Sequence, residues 1–165
     1  MPYTIPLDVF LILSRGDEVL LALRENTGFA DGLWNVPSGK VEPGESAVAA
    51  VLREAREEVG LSLAVADVRL VTTVHVNRPD GHVRIGLFFH AVHDPARHGE
   101  PVNAEPHKCG GLAWSAVSSL PPDTEPYNAA GLTGWRTGNP LVLDGWPAGA
   151  AERERGVTGT ARSWF

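Results

Sequence analysis

The sequence predicts an α/β (α+β) domain built on a mixed β-sheet. Residues 8–24 and residues 69–92 each have the pattern of a β-hairpin, and an alanine-rich amphipathic helix is predicted between them. Strands that alternate with one or two helices favour layers of helix packed on a sheet. No internal repeat is visible, so we expect residues 1–135 to form one domain and residues 136–165 an irregular C-terminal extension of it.

The composition is that of a globular protein and argues against several function classes. The chain has 165 residues, of which 43% are hydrophobic and 21% charged, enough to bury one core. The net charge of −6 argues against a nucleic-acid partner and against an anionic membrane. The early apolar run VFLILS is too short to span a bilayer, and we expect no signal peptide.

Cysteine usage and residue bias indicate a bacterial, cytoplasmic protein. Cys109 is the single cysteine, which excludes an internal disulfide and fits a reducing compartment. Arginine outnumbers lysine heavily, and alanine, glycine and proline are abundant, a bias associated with GC-rich bacterial genomes.

The first hairpin comes before the helix. Two apolar strands flank a tight turn at Arg15-Gly16-Asp17. A polar loop with two glycines, ENTGFADG, follows the second strand, and the short apolar segment LWNVP follows the loop.

The second hairpin turns at Pro79-Asp80-Gly81. Its second arm alternates with the period of a strand, which places five apolar residues on one face, namely Val83, Ile85, Leu87, Phe89 and Ala91. We therefore expect a strand at this position.

Beyond the second hairpin the pattern weakens. Residues 93–110 have the composition of a loop, and the segment GLAWSAV predicts a further short strand. Residues 118–132 then lead through a loop into a short helix. From Thr133 onward no period is visible, which predicts irregular structure.

The helix between the hairpins is the best defined element. Ser46 is suited to the N-cap and Gly60 to the position after the C-terminus, which predicts a helix over residues 47–59. At about 100° per residue, one side of this helix gathers the apolar residues and must face the core. These residues are Val48, Val51, Leu52, Ala55 and Val59.

Three glutamates, Glu54, Glu57 and Glu58, project together at the edge of that apolar side. Like charges one turn apart cost roughly 0.2–0.5 kcal/mol in an isolated helix. Anions near a helix C-terminus are also disfavoured by the helix dipole. The cluster is either a solvated face, partly neutralised by Arg53 four residues before Glu57, or a chelator of a hard divalent cation.

The surroundings of the glutamates resemble the Nudix hydrolase family, of the MutT-like kind. The family shares a box of glycine, five residues, glutamate, seven residues, then Arg-Glu-apolar-any-Glu-Glu-any-Gly-apolar. Every position is filled here, by Gly39, Glu45, Arg53, Glu54, Ala55, Glu57, Glu58, Gly60 and Leu61. One departure is Ser38, where many members have a second glycine. The resemblance implies a Nudix α/β/α sandwich over about residues 5–130, with a catalytic loop and helix.

The resemblance also implies a chemistry: metal-dependent hydrolysis of a diphosphate linked to another moiety. Glu54, Glu57 and Glu58 would bind Mg²⁺ or Mn²⁺ with the Gly39 carbonyl, and Arg53 would pair with Glu45 to tie the loop to the helix. A cation of this kind neutralises phosphate charge and lowers the pKa of the attacking water.

The general base stays open between two locations. Glu57 and Glu58 are candidates within the box, and Glu105 is a candidate from the later loop, with Glu100 behind it. His107 is a weaker candidate for a role at the metal.

Substrate contacts lie outside the box. Arg24, Phe29 and Arg84 are the candidates for binding phosphate or a base, because guanidinium groups match phosphate oxygens and aromatic faces stack on bases. Further candidates of the same types are Trp34, Arg69 and Arg78, and core packing is the competing interpretation for Trp34.

Three substrate classes remain open. The chain is short, which favours a nucleoside triphosphate, including oxidised nucleotides, cleaved to monophosphate and pyrophosphate. The alternatives are ADP-ribose or a nucleotide sugar, and a specialised biosynthetic intermediate. A non-catalytic nucleotide-binding module is the alternative of a different class, and the intact glutamates argue against it. We expect a small-molecule partner and no nucleic acid or membrane; a homodimer is common in the family.

Overall fold

The computed structural model describes residues 3–147, which form eight β-strands and three α-helices. In chain order the elements are β1 (Leu7–Arg15), β2 (Glu18–Arg24), β3 (Trp34–Asn35), β4 (Ser38–Lys40), α1 (Ala47–Val59), β5 (Arg69–Asn77), β6 (Val83–Val92), α2 (Pro95–His98), β7 (Cys109–Ala116), α3 (Pro126–Thr137) and β8 (Leu141–Asp144).

All eight strands belong to one mixed sheet, as the sequence predicts. The main order is β3-β2-β1-β6-β5-β8, with β4 paired to β1 and β7 paired to β2. The β1–β6 and β5–β8 pairs are parallel, and the other pairs are antiparallel. Both predicted hairpins, β1–β2 and β5–β6, are present.

The two strands of the first hairpin separate soon after their turn. They pair at Ser14 with Val19 and at Arg15 with Glu18. Farther from the turn, β1 pairs with β4 while β2 pairs with β3 and β7. This divergence leaves a gap between the strands on the side of the sheet edge where β1 begins and β2 ends.

The core lies on both faces of the sheet. On one face, Val51 and Ala55 of α1 belong to a cluster with Leu11 of β1. On the other face, Leu132 of α3 belongs to a cluster with Phe88 of β6. The sheet is therefore sandwiched between α1 and α3, which confirms the expected α/β/α arrangement.

The second arm of the β5–β6 hairpin uses both of its faces. Phe89 packs in the α1 cluster, whereas Phe88 is fully buried in the α3 cluster. A Cβ built on Gly131 of α3 would overlap the Phe88 ring, so the glycine permits the close approach of helix to sheet.

The prediction of irregular structure from Thr133 onward is wrong for residues 133–144. Helix α3 continues to Thr137, and β8 pairs in parallel with β5 at the sheet edge. A strand of four residues is too short to show a period, and Gly131 and Gly134 lower the helical propensity of α3. Residues 148–165 of the expected extension lie outside the described residues.

The loop predicted over residues 93–110 is interrupted by the single turn of α2, and β7 begins at its end, at Cys109. The strand predicted as GLAWSAV and the short helix after it are both present. Within residues 3–147, no helix has the length and apolarity needed to cross a membrane.

Strand β6 contains a half-buried histidine, His90, whose ionisation should affect stability. The Ser14 hydroxyl lies 2.8 Å from Nε2 of His90, whose ring is tilted against Trp135. Burial, and then the charge of Arg69, lowers the pKa of His90 below its usual value. The stability that neutral His90 contributes is therefore present above about pH 6.5 and is lost as the pH falls through the lower folded-state pKa.

Replacement of His90→Gln removes this titration. The difference in unfolding free energy between wild type and His90→Gln should shrink from pH 7.5 to pH 5, as measured by urea unfolding at both values. Parallel pH dependences of the two proteins would contradict the burial of a neutral imidazole.

Candidate active site

A cavity of about 510 Å³ opens where β1 and β2 diverge. Asp8 and Phe10 of β1 line one wall, and Ala22 and Leu23 of β2 line another. Further lining comes from the loop after β2, from strands β3, β4 and β6, and from helix α1 and the start of α3. The turn between β5 and β6 and the loop before β7 also contribute. The cavity therefore draws side chains from both layers of the sandwich.

Helix α1 delivers the three glutamates to one end of this cavity. The Ser46 side chain accepts a hydrogen bond from the Ala49 N–H, and Gly60 ends the helix with a left-handed backbone, φ 69°. Both caps are as predicted. With the apolar face of α1 fixed against the sheet, Glu54, Glu57 and Glu58 line the cavity together.

Arg53 connects the loop before α1 to the helix. Its Nε donates to Glu45 Oε1 at 2.9 Å, and its Nη2 donates to Glu45 Oε2 at 3.0 Å and to the Lys40 carbonyl at 3.0 Å. Its Nη1 donates to Glu54 Oε1 at 2.6 Å and to Glu57 Oε2 at 3.2 Å. The hydrogen bond from Arg53 lowers the pKa of Glu45 to about 2, so this pair stays ionised at neutral pH.

Glu58 is the most deeply placed of the three carboxylates. Its Oε2 accepts the Ser38 N–H at 2.8 Å. Burial raises the pKa of Glu58 to about 8, and the charges of Glu54 and Glu105 add to this effect. Burial also raises the pKa of Glu54, although its hydrogen bond with Arg53 opposes the shift. The cavity therefore crowds carboxyl groups in a poorly solvated place, which disfavours their charged forms.

Gly39 lies against the same carboxylates. It is part of β4 and pairs with Val9 of β1. A Cβ built on Gly39 would overlap the Glu54 carboxylate, so only glycine lets this side chain lie against the β4 backbone. The glycine of the sequence motif thus has a steric reason.

A family model and a related protein of known name both assign this chain to one family. The NUDIX domain model matches residues 4–135 of the chain. The CTP pyrophosphohydrolase of Escherichia coli (strain K12) is 34% identical over 106 residues, which cover 64% of this chain and 72% of that protein. The chain belongs to the Nudix hydrolase family.

Two further comparisons agree with the family. A crystal structure of a MutT NUDIX hydrolase from Burkholderia pseudomallei matches with a TM-score of 0.69 and 26% identity, over 79% of this chain and 98% of that one. The NAD-capped RNA hydrolase NudC of Pseudomonas entomophila (strain L48) is 32% identical over 69% of this chain, which spans only 37% of that longer protein. This Nudix protein is therefore a hydrolase of diphosphate bonds.

Nudix hydrolases generally use divalent metal ions, and the donor set of this member fits such an ion chemically. Carboxylate and carbonyl oxygens are the ligands that hard divalent cations prefer. Among residues 3–147, no three acidic, histidine or cysteine side chains converge closely enough to chelate an ion as they stand. Arg53 engages one oxygen each of Glu54 and Glu57, and the Glu57 side chain is 53% exposed, so side-chain rotation can bring it towards an ion.

The loop before β7 adds a fourth carboxylate to this Nudix cavity. Glu105 lines the cavity, and its charge contributes to the raised pKa of both Glu54 and Glu58. Its Oε1 accepts a hydrogen bond from the ammonium group of Lys108 at 2.8 Å. His107 is not part of the cavity lining; its carbonyl faces the side chain of Asn26 at 3.5 Å.

All three proposed substrate contacts line the cavity, but the two arginines are engaged by the protein. Arg24 donates to the Thr27 hydroxyl and to the Phe29 carbonyl. Arg84 forms a bidentate pair with the buried carboxylate of Asp8. Phe29 remains 49% exposed.

The three further candidates for substrate binding lie in different parts of the structure. Arg78 lies 4.4 Å from the Phe29 ring centroid and lines the cavity, so these two side chains form one surface. Trp34 packs against the α3 cluster, in agreement with its structural interpretation. Arg69 lies outside the cavity, in a shallow surface depression beside Trp135.

Several residues of the cavity are not marked by any motif or pattern in the sequence. Asn128 accepts the Val36 N–H through Oδ1 and donates to Glu125 through Nδ2. Tyr127 lies with its hydroxyl 3.5 Å from Asp8, and its burial raises the pKa of its hydroxyl. In the sequence, only Asp8 could have indicated this part of the cavity, because it is a charged residue near the start of a largely apolar strand.

Because Gly39 lies so close to Glu54, adding a methyl group at Gly39 should impair hydrolysis. Gly39→Ala should displace the Glu54 carboxylate and reduce kcat/KM for diphosphate hydrolysis about 100-fold, as expected for a misplacement of about 1 Å. Thermal stability should change little because a side-chain end can move aside. Gly111→Ala is the matched control, since a Cβ there meets nothing within 4 Å. Equal kinetics for the two variants would contradict the steric role of Gly39.

Proposed function

We propose that this Nudix protein is a Mg²⁺-dependent hydrolase of nucleoside triphosphates, including oxidised ones, releasing a nucleoside monophosphate and pyrophosphate. The observation that carries the proposal is the complete Glu54, Glu57 and Glu58 set at one end of a cavity that also exposes an aromatic surface. The relative named as a CTP pyrophosphohydrolase supports a triphosphate.

The residues that would hold Mg²⁺, or Mn²⁺ in its place, are Glu54, Glu57 and Glu58, with the Gly39 carbonyl. Such an ion supplies charge neutralisation for the phosphate oxygens and an activated water. Arg53 contributes indirectly, because its bonds to Glu45 and Glu54 fix the loop relative to the helix.

Proton transfer is best assigned to Glu58 among the box residues. Its Oε2 is occupied by the Ser38 N–H, which leaves Oε1 to accept a proton from the attacking water. Burial raises the pKa of Glu58 in the metal-free site, and a raised pKa is the direction that makes a carboxylate a stronger base. Glu105 is the second candidate, since it lines the same end of the cavity.

The nucleoside is assigned to the surface formed by Phe29 and Arg78. An exposed aromatic ring with a guanidinium stacked on it offers a flat platform for a base. Arg24 and Arg84 support the walls through their bonds to Thr27 and Asp8, and their positive charge offsets phosphate charge across the cavity.

Experiment can distinguish two alternative functions from the proposed one. Cleavage of ADP-ribose, a nucleotide sugar or a dinucleotide is favoured by the relative named as an NAD-capped RNA hydrolase, of which this chain spans 37%. A non-catalytic nucleotide-binding module is disfavoured by the complete glutamate set.

A hydrolysis screen tests the reaction and the substrate together. Nucleoside triphosphates, oxidised nucleotides, ADP-ribose, nucleotide sugars and dinucleotides are incubated with and without Mg²⁺, and the products are separated by chromatography. We expect metal-dependent release of a monophosphate and pyrophosphate from a triphosphate. Preferred cleavage of ADP-ribose would select the alternative enzyme, and tight binding without turnover would select the binding module.

Two isosteric substitutions test whether the hydrolysis measured in the screen takes place in the cavity. Glu57→Gln removes a carboxylate without changing side-chain volume, so turnover should fall by at least about 100-fold with the fold intact. Glu18→Gln is the control, because Glu18 lies on β2 in a surface ion pair with Arg15 and outside the cavity lining. Native turnover by Glu57→Gln would refute the metal-site assignment.

The platform assignment predicts a binding defect. Phe29→Ala should raise KM roughly 10-fold with a small change in kcat, since stacking on one base contributes about 1–3 kcal/mol. Phe29→Trp should restore the KM, which steady-state kinetics on the substrate from the screen will measure. A pure kcat defect would argue against stacking.

A further inference from the structure

Lys108 is a cation at the glutamate end of the cavity that has no role in the assignments above. It lines the cavity with Glu54, Glu58 and Glu105. Its ammonium group donates to Glu105 Oε1 at 2.8 Å, and this hydrogen bond raises the pKa of Lys108, with further contributions from the charges of Glu58 and Glu54. A positive charge is therefore held beside the carboxylates assigned to the reaction.

The backbone that carries Lys108 is fixed. The N–H groups of Lys108 and Cys109 both donate to the Glu105 carbonyl, at 2.9 and 3.0 Å. The Lys108 carbonyl accepts the Glu25 N–H at 2.9 Å, which ties the loop to the end of β2. The base of the side chain is anchored at the cavity wall, so only its four-carbon stem needs to move.

The side chain itself is held weakly. The Lys108 side chain is 52% exposed and forms an ion pair with Glu105, whose side chain is 23% exposed. Single ion pairs of this exposure contribute little to stability, and a lysine ammonium on a flexible stem re-pairs readily. Lys108 can therefore leave Glu105 at small cost when a stronger anion is present.

Two arginines of the cavity are less free to move. Arg84 is bound in two hydrogen bonds to Asp8, which is buried, so its departure would leave a buried charge without a partner. Arg24 donates to two oxygens of its own loop. Among residues 3–147, Lys108 therefore differs from both arginines in having one ion-pair partner, the partly exposed Glu105.

We propose that Lys108 binds the phosphate groups of the substrate, and that it leaves Glu105 in doing so. The inference rests on the proposed function, because a diphosphate is the anion that competes with the Glu105 carboxylate. The exchange has a second effect, since the departure of Lys108 leaves Oε1 of Glu105 free to accept a new hydrogen bond. Arrival of the phosphate and release of the carboxylate are then one event. Lys108 is thus a phosphate-binding residue whose departure frees Glu105.

The lysine content of the chain allows a direct observation on the wild-type protein. Lys40 and Lys108 are its only two lysines. Labelling lysine with ¹³C at Cε gives two side-chain resonances, assigned by Lys40→Met and Lys108→Met. Titration with inorganic pyrophosphate in the presence of Mg²⁺ should shift the Lys108 resonance markedly more than that of Lys40. A Lys108 resonance that stays in place at saturation would overturn the proposal.

A double-mutant cycle tests the exchange with Glu105. We expect Lys108→Met to weaken pyrophosphate binding about 10-fold by calorimetry, while Lys40→Met, which removes an equal charge from the cavity rim, has a smaller effect. Glu105→Gln should tighten binding several-fold because Lys108 is then free. In the Lys108→Met background, this gain should be largely lost.

The outcomes separate this inference from the proposed hydrolysis. A gain from Glu105→Gln of equal size in both backgrounds would show that Glu105 acts by general repulsion, and would overturn the exchange. Absence of measurable pyrophosphate binding to wild type would overturn it as well. A normal Lys108 shift together with no nucleotide turnover would support the phosphate site and count against the hydrolase proposal alone. Circular dichroism checks that each variant is folded.

Discussion

The cavity depends on the guanidinium group of Arg53 more than on any other single group. It holds Glu45 and the Lys40 carbonyl on the loop side and Glu54 and Glu57 on the helix side. A planar group with several fixed donors can satisfy such divergent partners, which an ammonium group could not do with the same geometry. Without it, the carboxylates would repel one another and the loop would have no charged link to α1. Arg53 thereby sets the positions of Glu45, Glu54 and Glu57 relative to one another.

The sheet supplies the rigidity that such crowding of charge requires. Strand β1 is buried on both faces over most of its length, between the cores formed with α1 and α3. Its divergence from β2 leaves the cavity where the sheet would otherwise be closed. Apolar packing on both layers thus offsets the unfavourable burial of Glu54 and Glu58, whose raised pKa values record that cost. Function is placed at the point where the regular pairing of strands is interrupted.

Local sequence predicts the parts of this structure that depend on local spacing. The limits of α1, the common direction of its glutamates, and both hairpins follow from helical and strand periods and from turn residues. The roles of Asp8, Lys108 and Asn128 do not follow, because each depends on a partner in a distant segment or on the cavity itself. Strand β8 escapes prediction for a similar reason, since its four residues gain their conformation from pairing with β5. Arg24 and Arg84 line the cavity, while their engagement by Thr27 and Asp8 depends on the tertiary structure.

The position of β8 also bears on how readily the edge of this sheet can pair with another copy of the chain. Strand β5 has nine residues, and β8 covers four of them, Thr73 to Val76, on the side away from β6. An uncovered strand of that length would present a ladder of free amide and carbonyl groups, the usual template for intermolecular sheet extension. The strand that replaces it at the edge is short and ends in Asp144, two features that discourage such pairing. A chain cut after α3 would therefore expose β5 as a longer sheet edge and should aggregate more readily.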